Sequence, residues 1–194
     1  CPVPGYDRHF GICEHLGIEM VTVPMTENGP DMDAVEALVD GDPAIRGMWV
    51  VPRFSNPTGA VCDEATVERC AALGKRAARG FRIFWDDAYA VHALERDAPK
   101  LAPVFEACRR AGTEDSVLLF GSTSKITHAG AGVAFLAASS IGATWSACSL
   151  EVTVDEAVRR FLPMAPKVLI TTSRAAKEMA ARMPGTRLTV VLPE

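Results

Sequence analysis

Lys125 lies in a run of small and hydroxyl-bearing residues, Phe120-Gly-Ser-Thr-Ser-Lys-Ile-Thr-His-Ala-Gly-Ala-Gly132. Lysine amines are nucleophiles that form Schiff bases with carbonyl compounds. The small neighbours let a ligand approach the backbone, and Ser122, Thr123 and Ser124 offer hydroxyls to an anion. Two more clusters carry reactive groups: Ser55-Asn56-Pro57-Thr58-Gly59 and Asp86-Asp87-Ala88-Tyr89. They add an amide, two carboxylates and a phenol. Each residue also has a plain structural reading. A lysine among serines is commonly a solvated loop lysine. Asn56 before a proline suits a turn, Tyr89 suits a core, and Asp86 and Asp87 suit a solvated strand end or a metal pair. No third carboxylate or histidine stands at a spacing that would complete a metal site, so no metal is expected.

The elements around these clusters repeat one pattern. Residues 7 to 16 have helical apolar spacing and stop at Gly17. Ile18 to Pro24 reads as a strand and Thr26 to Pro30 as a loop. Asp31 is suited to cap a helix whose inner face is Met32, Val35, Leu38 and Val39. Arg46 to Pro52 reads as a buried strand leading to Asn56. Asp63 caps a helix to about Arg79 with Val67, Cys70, Ala71, Leu73 and Gly74 inward. Phe81 to Trp85 is a strand that delivers Asp86. A helix at Leu101 to Ala111 and a strand at Ser116 to Phe120 then deliver the lysine loop, and Val133 to Ala138 is a further apolar run. Strands alternating with helices predict a three-layer α/β/α fold with a mostly parallel sheet. Ligands of such sheets sit beyond the carboxyl ends of the strands, where all three clusters fall.

Composition narrows the function. The 194 residues carry a net charge of −4 and no basic block, which argues against a nucleic-acid partner. No apolar run is long enough for a membrane helix and no secretory pattern opens the chain, so a cytoplasmic protein without a membrane partner is expected. The six cysteines lack Cys-x-x-Cys spacing and read as reduced small hydrophobes. The first residue, Cys1, and the final Thr189-Val-Val-Leu-Pro-Glu194 read as the edges of a fragment.

One cofactor chemistry would use all the clusters at once. An amine holds an aldehyde, a carboxylate keeps a pyridine nitrogen protonated, amide and phenol donors meet a ring oxygen, and hydroxyls with backbone amides hold a phosphate. Asn-Pro-Thr-Gly at 56–59, Asp-x-Ala-Tyr at 86–89 and Ser-x-Ser-Lys at 122–125, in that order and each after a strand, resemble the motifs of fold-type I, pyridoxal-phosphate-dependent aminotransferases of class I/II. Pro-Gly-Tyr-Asp-Arg-His at 4–9, Gly-Ser-Thr-Ser-Lys-Ile-Thr and Ala-Gly-Ala-Gly-Val-Ala-Phe resemble one branch of them, the aspartate aminotransferase-like group, over residues 1 to about 139. The resemblance implies that Lys125 carries pyridoxal 5'-phosphate as an imine and later shuttles the substrate proton. It implies that Asp86 pairs with the pyridine nitrogen, with His9 behind it, and that Tyr89 and Asn56 bond the ring oxygen. Ser122 and Ser124 would be phosphate-side hydroxyls, and Tyr6 would stack on the ring.

The implied activity is transamination between an amino acid, aspartate by branch, and a 2-oxo acid such as 2-oxoglutarate, in a homodimer. A non-catalytic effector domain of a bacterial regulator, a β-lyase using the same cofactor and an inactive fragment are the rival readings. The sequence also departs from the family. Gly132 stands where many relatives have a phosphate-clamping arginine. The glycine-rich phosphate loop is not in the chain, and Arg174, Arg182 and Arg187 do not match a substrate-carboxylate arginine. Residues 1–139 therefore read as part of a cofactor-binding large domain, and 140–194 as a divergent or frame-shifted segment. His15 and His92 read as structural, and His128 is assigned no role.

Overall fold

The structure, a computed structural model, describes residues 1–126 and four further strands at 133–138, 143–148, 168–172 and 188–192. The chain enters through a short strand, β1 (Pro2–Val3), and helix α1 (Asp7–His15). Gly17 ends the helix as expected. Its φ is +68°, and its N–H reaches Glu14 O at 3.0 Å while Ile18 N–H reaches Cys13 O at 2.8 Å, the paired bonds of a left-handed helix stop.

The next strand is not Ile18 to Pro24. It is β2 (Val23–Thr26), parallel to β1 and antiparallel to β3 (Gly29–Pro30). The expected loop is thus a tight hairpin. Glu27 and Asn28 form its turn, Gly29 opens β3 at φ +112°, and Thr26 Oγ1 donates to Gly29 O at 2.8 Å. Pairing with β1 and β3, not apolar content, decides which residues become strand.

Helix α2 (Met32–Gly41) starts at Asp31, whose carboxylate accepts from the N–H groups of Asp33 and Ala34 at 3.1 and 3.2 Å. Strand β4 (Gly47–Val50) follows. Helix α3 (Glu64–Arg76) is capped by Asp63, which accepts from Thr66 N at 2.7 Å. It ends before Arg79, because Ala77 is extended and Gly80, at φ +91°, turns the chain into β5 (Arg82–Asp86). Helix α4 (Val104–Ala111) starts later than Leu101, because Pro103 disfavours a helical conformation at Ala102. A short 3-10 turn at Glu114–Ser116 leads into β6 (Val117–Ser122), and β7 (Val133–Ala138) and β8 (Ala143–Cys148) follow.

These strands form one sheet in the order β4-β5-β6-β7-β8. The first three are parallel, and β7 and β8 are antiparallel additions. Residues 139–150 mix Ser, Ala, Trp and Cys without a clear period, yet β8 is a strand there, set by its register against β7. Strands β9 (Val168–Thr172) and β10 (Leu188–Leu192) pair in parallel as a separate sheet. Residues 155–162 and 173–183 read as possible helices from sequence, and both segments lie outside the described residues.

Alternation along the strands sorts the two faces. Met48, Val50, Ile83, Trp85 and Val117 are buried against Val67, Cys70, Ala71 and Leu73 of α3 and Val104, Ala107 and Cys108 of α4. Trp49, Phe84 and Phe120 alternate with these residues and line the opposite face as a ladder of stacked rings, 4.9 and 6.1 Å apart. His9 of α1 extends the ladder over Trp49 at 4.3 Å, which places α1 on that second face. Arg69 and Arg76 of α3 bridge to Asp33, Glu36 and Asp40 of α2. Their hydrogen bonds, Arg69 first, hold the Glu36 carboxyl below its usual range.

Gly74 of α3 packs tightly against the turn between α4 and β6. A Cβ there would run into Ser116 Oγ and stand 2.9 Å from Ser116 Cβ and 3.0 Å from Thr113 Cβ. Gly→Ala inside a helix ordinarily stabilises by about 1 kcal/mol. Overpacking a filled core costs about 1–3 kcal/mol. The clash involves two short side chains that cannot swing far, so Gly74→Ala is expected to lower the urea midpoint. A raised midpoint would show that the contact relaxes freely.

Candidate active site

The parallel register β4-β5-β6 puts the carboxyl ends of three adjacent strands on one edge of the sheet, and each continues into one polar cluster. Asp86 is the last residue of β5 and pairs with Phe120 of β6. Trp85 before it faces the core, so Asp86 faces the aromatic side, with its side chain 26% exposed. His9 Nε2 lies 3.3 Å from Asp86 Oδ2. The imidazole is 94% buried as a side chain by exclusion of all but 6% of its surface, stacked on Trp49 and met edge-on by Tyr6 at 5.6 Å. Tyr6 itself is exposed on its outer side.

Asp87 turns the other way. Its N–H donates to Phe120 O at 2.9 Å, which ties the strand end to β6. Burial pushes its carboxyl up, Arg53 pulls it down, and Asp86 adds a smaller upward push. Its Oδ1 has no partner among the described residues.

The chain then turns through residues 88–91, which place Tyr89 beneath Lys125. Lys125 Nζ stands 4.8 Å above the centre of the Tyr89 ring, where the negative face of the ring attracts a cation. Lys125 is exposed, in a turn closed by Ile126 N–H to Thr123 O at 2.9 Å. Ser122, the last residue of β6, donates through Oγ to Ser124 Oγ at 2.9 Å and accepts from Ser124 N at 3.0 Å. The hydroxyls therefore stand together at one strand end. His128 and Gly132 fall outside the described residues.

Asn56 stands on the third loop. Ser55 N–H donates to Ala60 O at 3.0 Å and Gly59 N–H to Ser55 O at 2.6 Å, closing the turn with Gly59 at φ +76°. The Asn56 side chain is exposed and makes no hydrogen bond among the described residues. The direct contacts thus join His9 to Asp86, Tyr6 to His9, Lys125 to Tyr89, and Ser122 to Ser124. Asn56 shares their edge of the sheet, and no hydrogen bond joins its side chain to them among the described residues.

Two further residues act at this edge: Arg53, given no role from the sequence, and His92, read there as structural. Arg53 Nη1 donates to Ala90 O and Nη2 to Pro99 O, each at 3.1 Å, so it straps the segment carrying Tyr89 to the loop after β4. His92 Nε2 lies 3.2 Å from Lys125 O. Both act on main-chain carbonyls, which leave no mark in a sequence. Among the described residues no group of acidic, histidine or cysteine side chains is arranged to hold a metal, and no helix is long and apolar enough to cross a membrane.

Comparison with known proteins places this fold. The chain is 52% identical over 145 residues to an aspartate aminotransferase of Corynebacterium glutamicum, a match covering 75% of this chain and 33% of that protein. It superposes with a TM-score of 0.69 on the crystal structure of an aspartate transaminase from the same species, at 52% identity, over 73% of this chain and 33% of the other. An α-aminoadipate aminotransferase from Thermus thermophilus, solved with N-(5'-phosphopyridoxyl)-L-leucine, is 32% identical with a TM-score of 0.60, over 71% of this chain and 34% of that one. The chain belongs to the aspartate amino-transferase family, whose match spans residues 1–155. It covers about a third of the length of these relatives.

Proposed function

We propose that the full-length protein is a pyridoxal-phosphate-dependent aminotransferase that moves the amino group of L-aspartate to 2-oxoglutarate. One observation carries the reading: adjacent parallel strands end in a carboxylate backed by a histidine and in a lysine amine resting on a tyrosine. The donor set fits the cofactor. Lys125 provides a primary amine, Asp86 a carboxylate on the aromatic side of the sheet, and Ser122 and Ser124 paired hydroxyls beside a backbone N–H. Similarity to an aspartate aminotransferase supports the choice of aspartate.

When bound, pyridoxal phosphate supplies an electron-withdrawing ring that stabilises negative charge developing at the substrate Cα. Lys125 Nζ would hold the aldehyde carbon, and as a free amine it would move the proton at Cα. Asp86 holds the proton on the ring nitrogen, and His9 fixes the carboxylate. Tyr89 and Asn56 would orient the ring through its phenolic oxygen, and Tyr6 would cover a ring face. Ser122 and Ser124 donate to the phosphate. We further read residues 1–139 as part of the cofactor-binding domain of a cytoplasmic homodimer.

The test uses the full-length protein with L-aspartate, 2-oxoglutarate and the cofactor. Oxaloacetate and glutamate are expected in equal amounts, with no turnover when the oxo acid is omitted. Turnover independent of the oxo acid, with release of ammonia, would replace transamination by a lyase reaction. Failure to bind the cofactor at all would remove both readings.

A further inference from the structure

We propose that His92 is a positioning residue for Lys125, acting through the lysine's own main-chain carbonyl. The proposal rests on the reading of Lys125 given above. His92 Nε2 is 3.2 Å from Lys125 O. A carbonyl oxygen can only accept, so Nε2 is the donor in this contact. Nδ1 is buried and has no partner among the described residues. Among these residues, the lysine carbonyl is therefore the ring's polar anchor, and turning the imidazole over would leave that bond unmade.

The rest of the geometry closes a circuit. His92 N–H donates to Tyr89 O at 3.1 Å, which puts both rings on one turn. The rings meet edge to face at 5.4 Å and 83°. Tyr89 in turn carries Lys125 Nζ on its face at 4.8 Å. The lysine is thus held at both ends, its carbonyl by His92 and its amine by Tyr89. A free lysine side chain spreads its amine over many rotamers. Fixing the main chain from one side and the amine from the other restricts where that amine can attack. Arg53 keeps the turn itself in place through Ala90 O and Pro99 O.

The experiment compares the full-length parent with His92→Phe and His92→Gln. Phenylalanine keeps a ring against Tyr89 and removes the donor, and glutamine supplies an N–H in place of the ring. Each protein is mixed with pyridoxal phosphate and trapped with borohydride after varied times. Adducts at Lys125, and at Lys75 and Lys100 as references, are read by peptide mass spectrometry. His92→Phe is expected to slow adduct formation at Lys125 and to lower kcat by about tenfold, because misplacing a reacting group by an ångström can cost more than that. KM and the reference lysines are expected to stay within about twofold, the spread of a neutral surface change, and His92→Gln to recover most of the Lys125 rate. A purely structural histidine predicts lowered Tm in both variants with an unchanged Lys125 rate in the folded fraction, and that result overturns the proposal. A parent that forms no adduct at Lys125 overturns the underlying reading as well, and shows itself before any His92 change. Should His92→Phe not fold, the nitrogen-15 shifts of His92 in the parent decide: a proton on Nε2 upholds the proposal and an unprotonated Nε2 overturns it.

Discussion

In the full-length protein, Lys125→Ala is expected to lower transamination by at least about 10⁴-fold, since it removes both a covalent anchor and a proton-transfer group. The side chain is exposed and its one described side-chain contact is the face of Tyr89. Its removal should therefore change stability by no more than about 0.5 kcal/mol, the usual range for a surface substitution. Lost activity with an unchanged Tm then reports chemistry and not unfolding. Lys125→Arg sharpens the test. Arginine keeps the positive charge and can still lie over Tyr89, but its guanidinium stays protonated and is no nucleophile. If the lysine served only as a cation, the arginine variant would retain most of the turnover. If its amine is the reacting group, both variants fail together. Turnover of more than a few per cent of the parent rate in Lys125→Ala, measured by oxaloacetate release, would remove Lys125 from the centre of the site.

That lysine could be singled out from sequence because its type and its place after a strand were both visible. The same holds for Asp86, the residue that β5 delivers at its end. The starts of α2 and α3 were equally legible, because Asp31 and Asp63 cap through backbone groups two or three residues away. The helix stop at Gly17 is local in the same sense. Reading failed where a distant partner decides the outcome. Ile18 to Val21 is apolar enough for a strand, yet β2 begins at Val23, where the chain can pair with Pro2 and Val3. Strand β8 lacks a period of its own and exists through its register with β7. His9 was placed beside Asp86 only through family resemblance, since 77 positions separate them and the spacing within α1 gives no hint of the contact. Arg53 and His92 were missed for a further reason. Their partners are carbonyl oxygens, which every residue carries and no residue type announces.

Asp86→Asn is the second large loss expected, at about 10²–10³-fold in kcat, the cost typical of removing one well-placed polar group from a reacting centre. Asparagine has nearly the shape of aspartate and can still meet His9 Nε2, so the contact between α1 and β5 survives. What disappears is the negative charge. A charge-assisted hydrogen bond to a ring N–H is roughly twice as strong as a neutral one, and only the charged form would hold a proton on the ring nitrogen of the proposed cofactor. The effect should therefore fall on kcat more than on KM. The rival reading, a solvated carboxylate at a strand end, predicts a change of about twofold or less, in line with ordinary surface substitutions. Asp87→Asn is the internal comparison. It alters a carboxyl one residue away whose N–H, not its side chain, ties β5 to β6. Burial, the proximity of Arg53 and the charge of Asp86 set the state of Asp87, and none of these puts it on the aromatic side of the sheet. A large kcat loss in Asp87→Asn with near-normal turnover in Asp86→Asn would exchange the two roles and detach His9 from the chemistry.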